Sequence, residues 1–303
     1  MHWDRGFGIR TAAAVVSVGA ALSVSSCGIT GSVMFGAVIA GLNEVPIAEG
    51  AEEGPGASPP LADAGTDPGT DPFGNGVGDQ ERRRIFRDSE NWKHLESPIG
   101  VIPGGQYFVH HARGHVSTCS FGWLVRSRED AGRLYNLTAG HCGKPGDEVF
   151  VEAGPEKLLK VGTFIWTEHD EFAPAGTGPD QALIELEDSA FAVGTPELDK
   201  VTLVGHASMD WLQQNRPYLC RLGWRSGLSC GSFDRIVNQH LFRYDNISDK
   251  GDSGGVIWAQ DPEDENRIWA VGVTSFIQPS DAASAGGASI GGTMQRFNLA
   301  VVQ

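Results

Sequence analysis

The chain has 303 residues, which is enough for one large domain or two small ones with a sizeable core. It carries 23 Lys and Arg residues against 38 Asp and Glu residues, a formal net charge of −15. This balance argues against nucleic acid as a partner, because phosphate binding requires clustered Lys and Arg.

Residues 1–42 are typical of an export segment, because Arg5 and Arg10 are followed by 32 residues without a charged side chain. Three interpretations stay open. The letters VSSC, ending at Cys27, resemble the lipobox of bacterial lipoproteins, in which the cysteine is lipidated. Val38 and Ala40 fit ordinary cleavage after Ala40, and the 32 uncharged residues are also long enough to span a bilayer uncut. All three place the rest of the chain outside the cytoplasm of a bacterium, secreted or anchored to the cell membrane.

Residues 43–97 are predicted to form an acidic, Pro- and Gly-rich linker or a pro-segment. Residues 44–81 hold nine acidic residues and neither Lys nor Arg. Such a segment cannot bury enough apolar surface to offset its chain entropy, so we expect disorder from 43 to about residue 80. The RRR run at residues 82–84 is either a solvated charge cluster or a processing site for a trypsin-like protease.

Residues 98–303 form the predicted folded domain. Short stretches rich in Val, Ile, Phe, Tyr, Trp and Thr alternate there with turn residues, as in QYFVHH, CSFGWLVRS, QALIELE and RIWAVGVTSF. About ten short strands with regular turns indicate an all-β sandwich or barrel. The last residues, TMQRFNLAVVQ, fit a short helix or a closing strand.

Three segments of this region carry reactive side chains: LTAGHC with His141, GPDQALIEL with Asp180, and KGDSGGVIW with Ser253. Each residue alone has an ordinary explanation, as a core or surface histidine, a turn-forming aspartate or a serine in a tight turn. Their order on one β chain favours a nucleophilic triad instead.

The three segments resemble the signatures of chymotrypsin-fold serine proteases, over about residues 98–303. The resemblance implies an all-β fold of two six-stranded antiparallel β-barrels, at about 98–195 and 196–303, with the active site between them. It also implies a serine endopeptidase that works through an acyl-enzyme. Ser253 would be the nucleophile, His141 would move its proton, and Asp180 would orient the imidazole.

Further roles follow from the same resemblance. The N–H groups of Gly251 and Ser253 would form the oxyanion hole. Ser275, in GVTSF, matches the serine that supports the buried aspartate. Asp170, in TEHDEF, is the alternative to Asp180; we prefer Asp180 because the alternating strand ALIEL follows it directly.

Four cysteines lie in the folded region, and an even number in an exported chain predicts disulfides with three conceivable pairings. The resemblance implies Cys119–Cys142, which joins the cysteine after the histidine to the preceding strand, and this leaves Cys220–Cys230. The spacing of the second pair fits neither zinc ligands nor a redox C-x-x-C motif.

The run CRLGWRSGLSCG resembles the corresponding loop of the bacterial α-lytic and streptogrisin-type proteases. In that group the arginine after the first cysteine pairs with the aspartate beside the nucleophile. The resemblance therefore implies that Arg221 pairs with Asp252, so that the site does not need a newly cut N-terminus. The alternative is that Arg221 is a surface charge on a loop.

The sequence departs from this bacterial group around the specificity pocket. Asp249 stands near the position of a cysteine in the group, and the usual Ser-Gly-Gly strand is replaced by Ser275-Phe276-Ile277. Ile247 stands six residues before Ser253, at the position that forms the pocket base in trypsins. Because no acid stands there, we expect a preference for small or medium apolar side chains rather than for Arg or Lys.

Two other classes of function stay open. One is a catalytically inactive binding module at the cell surface, against which the complete His, Asp and Ser set speaks. The other is a metal site at HHARGH, with His110, His111 and His115, whose spacing fits a polar strand edge better. We expect a monomer that acts on protein or peptide substrates, needs no cofactor and no metal, and meets a membrane only through its N-terminus.

Overall fold

The computed structural model describes residues 44–46, 85–130, 132–174, 176–198, 201–278 and 280–303. The predicted export segment 1–42 with Cys27, most of the predicted linker 43–97 and the RRR run at 82–84 lie outside the described residues. In the part of the chain that is described, no helix has both the length and the apolar character needed to cross a membrane.

The first sheet is built from nine strands: β1 (Glu44–Pro46), β3 (Gln106–His110), β4 (Val116–Ser120), β5 (Trp123–Ser127), β6 (Leu134–Thr138), β7 (Glu148–Gly154), β8 (Lys157–His169), β9 (Asp180–Leu186) and β17 (Leu299–Val301). Their order is β17-β5-β6-β9-β8-β7-β3-β4, with β1 beside β8. Every pair of neighbours is antiparallel.

The second sheet is built from eight strands: β2 (Phe86–Asp88), β10 (Thr202–His206), β11 (Tyr218–Gly223), β12 (Gly227–Ile236), β13 (Leu241–Asp245), β14 (Val256–Gln260), β15 (Arg267–Ile277) and β16 (Ser284–Ser289). Their order is β10-β15-β14-β11-β12-β13-β16, and an additional pairing of β15 with β16 closes six of the strands into an antiparallel barrel. Strand β2 adds beside β12, and β10 runs parallel to β15.

Helices are few and short. The α-helices are α1 (Met209–Asn215) and α2 (Gly291–Arg296), and Glu90–Glu96 and Gly140–Cys142 are 3-10 helices. The Ser208 side chain caps α1 by accepting the Trp211 N–H, and α1 ends at Arg216 in a left-handed conformation with φ 44°. The C-terminal stretch contains both predicted alternatives, since α2 is followed by β17.

The buried side chains form three clusters. One fills the first sheet around residues such as Tyr107 and Phe164, and another fills the second barrel around residues such as Phe242. The third contains Trp123 from the first sheet and Trp258 from the second, so the two sheets share buried surface. The indole N–H of Trp123 also donates to a backbone carbonyl of β15, that of Gly272, at 2.9 Å.

Two segments pair with strands outside the domain in which the sequence analysis placed them. Residues 86–96, at the end of the predicted linker, are folded: β2 pairs with β12, and Trp92 and Leu95 of the following 3-10 helix are buried. The physical reason is that these two apolar side chains pack in the core shared by the two sheets. The acidic composition of the linker as a whole does not reveal them. Strand β17 comes from the predicted second barrel but pairs with β5 of the first sheet.

The predicted fold class is all-β with two six-stranded antiparallel β-barrels. The all-β class is confirmed, with one closed six-stranded antiparallel barrel and a second, antiparallel sheet of nine strands. The residues named as reactive lie at strand ends and in loops where the two sheets meet.

Candidate active site

Asp180 and His141 meet at the end of the first sheet. His141 lies in the 3-10 helix directly after β6, and Asp180 begins β9, the strand that pairs with β6. The Nδ1 atom of His141 lies 2.9 Å from Oδ2 of Asp180, and the backbone N–H of His141 donates to Oδ1 at 2.8 Å. Two contacts from one residue fix both the position and the orientation of the imidazole.

Asp180 is buried, and it is the acid that contacts His141. The hydroxyl of Ser275, on β15, donates to Asp180 Oδ2 at 2.6 Å, which adds a third donor to a charge that is 5% exposed. Asp170 lies on the turn after β8, where its carboxylate accepts the Phe172 N–H at 3.0 Å. Among the contacts of the described residues, none joins Asp170 to His141.

Burial and charge act in opposite directions on this pair. Burial disfavours the imidazolium, but the negative charge and the hydrogen bond of Asp180 outweigh it and raise the pKa of His141 above its ordinary value. Burial also disfavours the carboxylate, yet the charge and hydrogen bond of His141, with the Ser275 hydrogen bond, lower the pKa of Asp180. The pair is therefore arranged so that the imidazole accepts a proton while the aspartate stays ionised.

Ser253 lies in the glycine-rich loop between β13 and β14. A Cβ atom at Gly254, where φ is +84°, would come 2.1 Å from Thr138 Oγ1, so no other residue fits there without moving the first sheet. The carbonyl of Ser253 accepts the Ser120 N–H at 2.8 Å. The serine loop of the second barrel is thus anchored on β4 of the first sheet.

Two backbone donors beside Ser253 are free. Within the described residues, neither the Gly251 N–H nor the Ser253 N–H donates a hydrogen bond, whereas the intervening Asp252 N–H donates to the Asp249 carbonyl at 3.1 Å. Gly251 has φ +108°, a conformation that favours glycine. Free N–H groups next to a serine hydroxyl can receive a developing oxyanion.

Ser253 and His141 line the same cleft, whose volume is about 390 Å³. Its walls come from both sheets. No hydrogen bond joins the two side chains among the contacts of the described residues, and contacts of this kind often shorten only when substrate binds.

Arg221 and Asp252 form a buried ion pair behind the serine loop. Arg221 Nη1 lies 3.2 Å from Asp252 Oδ2, and both side chains are 0% exposed. Arg221 lies on β11, so the alternative of a surface charge on a loop is wrong. The sequence placed the two residues together only through the family resemblance, since 30 residues separate them along the chain.

Backbone groups satisfy the rest of this ion pair. Arg221 Nε donates to the Ile247 carbonyl at 2.8 Å, and Nη1 donates to the Gly227 carbonyl at 3.1 Å. Asp252 accepts the N–H groups of Asp249 at 2.7 Å and of Ser226 at 3.0 Å, and the Ser226 hydroxyl contacts both charged groups. A buried charge is tolerated when its partners are supplied in this way.

Both expected disulfides are present in the structure. Cys119, on β4, is bonded to Cys142, the residue after His141, which ties the histidine to the preceding strand. Cys220 and Cys230 are bonded across the β11–β12 hairpin, where they face each other in register. The run between them is therefore a strand hairpin that presents Arg221 inward.

The histidine-rich HHARGH segment is occupied by protein contacts. His111 Nδ1 lies 2.8 Å from Asp147 Oδ2 and its Nε2 lies 2.7 Å from Ser117 Oγ, while its ring stacks on His115. In the described residues, the one group of three close metal-binding residue types is Cys119, His141 and Cys142. Its two sulfur atoms are bonded to each other and cannot act as thiolate ligands.

The residues that line the cleft do not include Ile247, which was expected at the base of the pocket. Ser248, Asp249 and Lys250 line it on one side, and Phe276 and Ile277 on another. The Ile247 carbonyl instead accepts Arg221, and the Ile247 N–H donates to Ser229 Oγ at 2.9 Å.

Sequence reasoning missed two residues that contact the site. The Ser120 hydroxyl donates to the Gly251 carbonyl at 2.8 Å and accepts the Trp224 N–H at 3.1 Å. His169 Nδ1 lies 3.5 Å from Asp180 Oδ1. The only sequence signals were the proximity of Ser120 to Cys119 and of His169 to Asp170, and neither reveals a contact across more than ten residues.

Of the comparisons with known proteins, only the one with solved structures found matches. No protein-family model matches the chain, and no curated protein matches it. Among solved structures, Nocardiopsis protease (NAPase) has 20% identity, covering 67% of this chain and 99% of its own, with a TM-score of 0.47. Cellulomonas bogoriensis chymotrypsin has 24% identity, covering 67% of this chain and 98% of its own, with a TM-score of 0.47. An alpha-lytic protease homolog, N4, has 14% identity, covering 64% and 95%, with a TM-score of 0.37.

The strand order given above, with one closed six-stranded antiparallel barrel, a second antiparallel sheet and a cleft between them, is the basis for assigning the fold. The chain has a chymotrypsin-like fold.

Proposed function

We propose that the chain is an exported serine endopeptidase that hydrolyses peptide bonds through an acyl-enzyme. The observation that carries the proposal is the Asp180 carboxylate, which holds His141 by its ring and by its backbone N–H in the cleft that also contains Ser253. A structural histidine needs neither a buried ionised partner nor a serine with free backbone donors beside it.

The proposed reaction assigns one role to each group. His141 is held at Nδ1 by Asp180, so its Nε2 is the atom that takes the Ser253 proton as the hydroxyl attacks the peptide carbonyl. The oxyanion then accepts hydrogen bonds from the N–H groups of Gly251 and Ser253. In comparable enzymes each such donor lowers the activation free energy by about 3 kcal/mol. The imidazolium returns the proton to the leaving amine, and water releases the acyl group by the same route.

The ion pair of Arg221 and Asp252 supports a site that is assembled within the described part of the chain. Asp252 stands between the two oxyanion donors, and its carboxylate is already neutralised by Arg221. In this proposal no new N-terminal amine is required to order the loop.

Export is supported by the two disulfides, since such bonds persist in oxidising compartments. We extend the proposal to residues 1–42 as the export or anchoring segment and to 98–303 as the protease domain. Protein or peptide chains are the proposed substrates, because the cleft is open at the surface between the sheets.

A fluorophosphonate probe tests the function. The probe phosphonylates a serine only where a base and an oxyanion site activate it. We expect the folded, disulfide-bonded protein to be labelled and Ser253→Ala to lose the label completely. Ser248→Ala is the matched control, because Ser248 lines the same cleft but has no role in the reaction, and it should keep the label. If folded wild-type protein takes no label, the chain is the inactive binding module instead.

A further inference from the structure

A second histidine shares the aspartate of the candidate site. His169 ends β8 and lies directly opposite Asp180 of β9 in the register of the two strands. Its Nδ1 atom lies 3.5 Å from Asp180 Oδ1, within ion-pair distance. Its ring lines the cleft and stands edge-on to the ring of His141, with 5.9 Å between the ring centroids.

The carboxylate of Asp180 makes several contacts, and they differ in length. Oδ2 binds His141 Nδ1 at 2.9 Å and the Ser275 hydroxyl at 2.6 Å, while Oδ1 takes the His141 backbone N–H at 2.8 Å. His169 approaches the same Oδ1 atom at the longer distance of 3.5 Å. One carboxylate therefore faces two imidazoles, of which His141 holds the shorter and better contacts.

The three acidic residues next to His169 in the sequence have contacts of their own. Glu171 pairs with Lys144, whose hydrogen bond lowers the pKa of Glu171 more than the neighbouring charges do, His169 among them. The Asp170 carboxylate accepts the Phe172 N–H, and Glu168 lies 3.7 Å from Arg296 Nη1. Among the ion pairs of the described residues, the partner of His169 is Asp180.

We propose that His169 is a positioning residue that tunes His141: in its charged form it competes for Asp180 and makes His141 a weaker base. The proposal rests on the proposed function of His141 as the base. A positive imidazolium at His169 repels a second one at His141 and takes part of the stabilising charge of Asp180. The two protonations thus oppose each other, and the site keeps a neutral His141 at lower pH than it would alone.

The sign of the effect on activity follows. The reaction needs neutral His141, so kcat/KM falls as the pH falls through its pKa. When the charge at His169 is removed, the carboxylate of Asp180 stabilises only the imidazolium of His141, so the pKa of His141 rises. Over a ring separation of 5.9 Å with partial screening, we expect an upward shift of about 0.5 pH unit. Below that pKa, kcat/KM of the variant is then about threefold below wild type, and the two are equal at high pH.

Two variants at this position separate charge from contact. His169→Gln removes the titrating ring, and His169→Asn also removes it but keeps an amide N–H near the place of Nδ1. Both should shift the acid limb of the kcat/KM profile in the same direction. His94→Gln is the matched control, because it removes an exposed histidine from the 3-10 helix Glu90–Glu96, outside the cleft.

Nuclear magnetic resonance of the free protein makes the test independent of turnover. The imidazole signals of His141 are titrated in wild type, His169→Gln, His169→Asn and His94→Gln. A higher pKa of His141 in both His169 variants, with none in His94→Gln, supports the proposal. An unchanged pKa of His141, or a wild-type value in His169→Asn, overturns it. If the pKa shifts but the wild type neither cleaves peptides nor takes the probe, the coupling stands and the peptidase function fails.

Discussion

Arg221 is a buried residue that supports the loop of Ser253 from behind, through its contacts with Asp252 and the Ile247 carbonyl. Its guanidinium is fully buried on β11, and its partner Asp252 lies between the two residues whose N–H groups are free. Taking two charges out of water costs several kcal/mol per ion, so the pair persists only because backbone groups of Ile247 and Gly227 satisfy the remaining donors.

Substitution of Arg221 by alanine tests this at the level of one side chain. Arg221→Ala leaves Asp252 charged and buried without its cation, which should lower the free energy of unfolding by about 3–5 kcal/mol. Under the proposed function, peptidase activity should fall to a small fraction of wild type, because the loop with the proposed oxyanion donors loses its support. Urea unfolding and kcat/KM, both measured on folded protein, give the two values.

The matched control is Arg225→Ala. Arg225 has an exposed side chain and meets Asp252 only through its backbone N–H, which the substitution keeps. It should behave as wild type in both measurements. Full activity in folded Arg221→Ala would show that the ion pair does not hold the oxyanion loop.

At the scale of elements, the segment 86–96 is folded although its composition predicted a linker. Strand β2 pairs with β12 along Leu228, Ser229 and Cys230, beside the disulfide that closes the hairpin. A Cβ atom at Gly227 would lie 2.5 Å from the Asp88 carbonyl, and the Gly227 carbonyl is itself a partner of Arg221. The segment therefore packs against the backbone that holds the buried ion pair.

Trp92 is the main anchor of this segment, since it is 8% exposed and packs in the core shared by the two sheets. Trp92→Ala should lower the free energy of unfolding by about 3–5 kcal/mol, the usual range when a buried aromatic side chain is removed. His94→Ala changes an exposed residue of the same 3-10 helix and should cost less than about 0.5 kcal/mol. Equal stability of the two variants in urea would mean that the segment is an undocked linker in solution.

The sequence predicted the elements that carry strong patterns. QYFVHH and QALIELE correspond to β3 and β9, where β-branched and aromatic residues lie between turn signals. The segment 86–96 has only two buried apolar side chains among polar ones, so no periodicity could reveal it. In the same way, His141, Asp180 and Ser253 belong to recognisable motifs, whereas Ser120 and His169 reach the site through strand pairing and the meeting of two sheets.

On the scale of the whole molecule, the candidate site exists only where the two sheets meet. His141 and Asp180 come from the first sheet, and Ser253 and Ser275 come from the second. The cleft is thus sensitive to the way the sheets contact each other, and among the described residues Ser120 makes two of the hydrogen bonds that cross between the sheets beside the serine loop. Ser120 gives its N–H to the Ser253 carbonyl and its hydroxyl to the Gly251 carbonyl.

Ser120→Ala tests whether this crossing bond sets the geometry of the site. The substitution leaves the Gly251 carbonyl and the Trp224 N–H without their partner, and an unpaired buried group costs about 1–3 kcal/mol. If the loop relaxes to recover those bonds, the Gly251 N–H moves, and kcat should fall about 10- to 100-fold while KM changes little. Thr118→Ala, two residues earlier on β4, is the matched control, because within the described structure the Thr118 hydroxyl makes no hydrogen bond. A loss of stability in Ser120→Ala with an unchanged kcat would show that the two sheets hold each other without setting the reactive geometry.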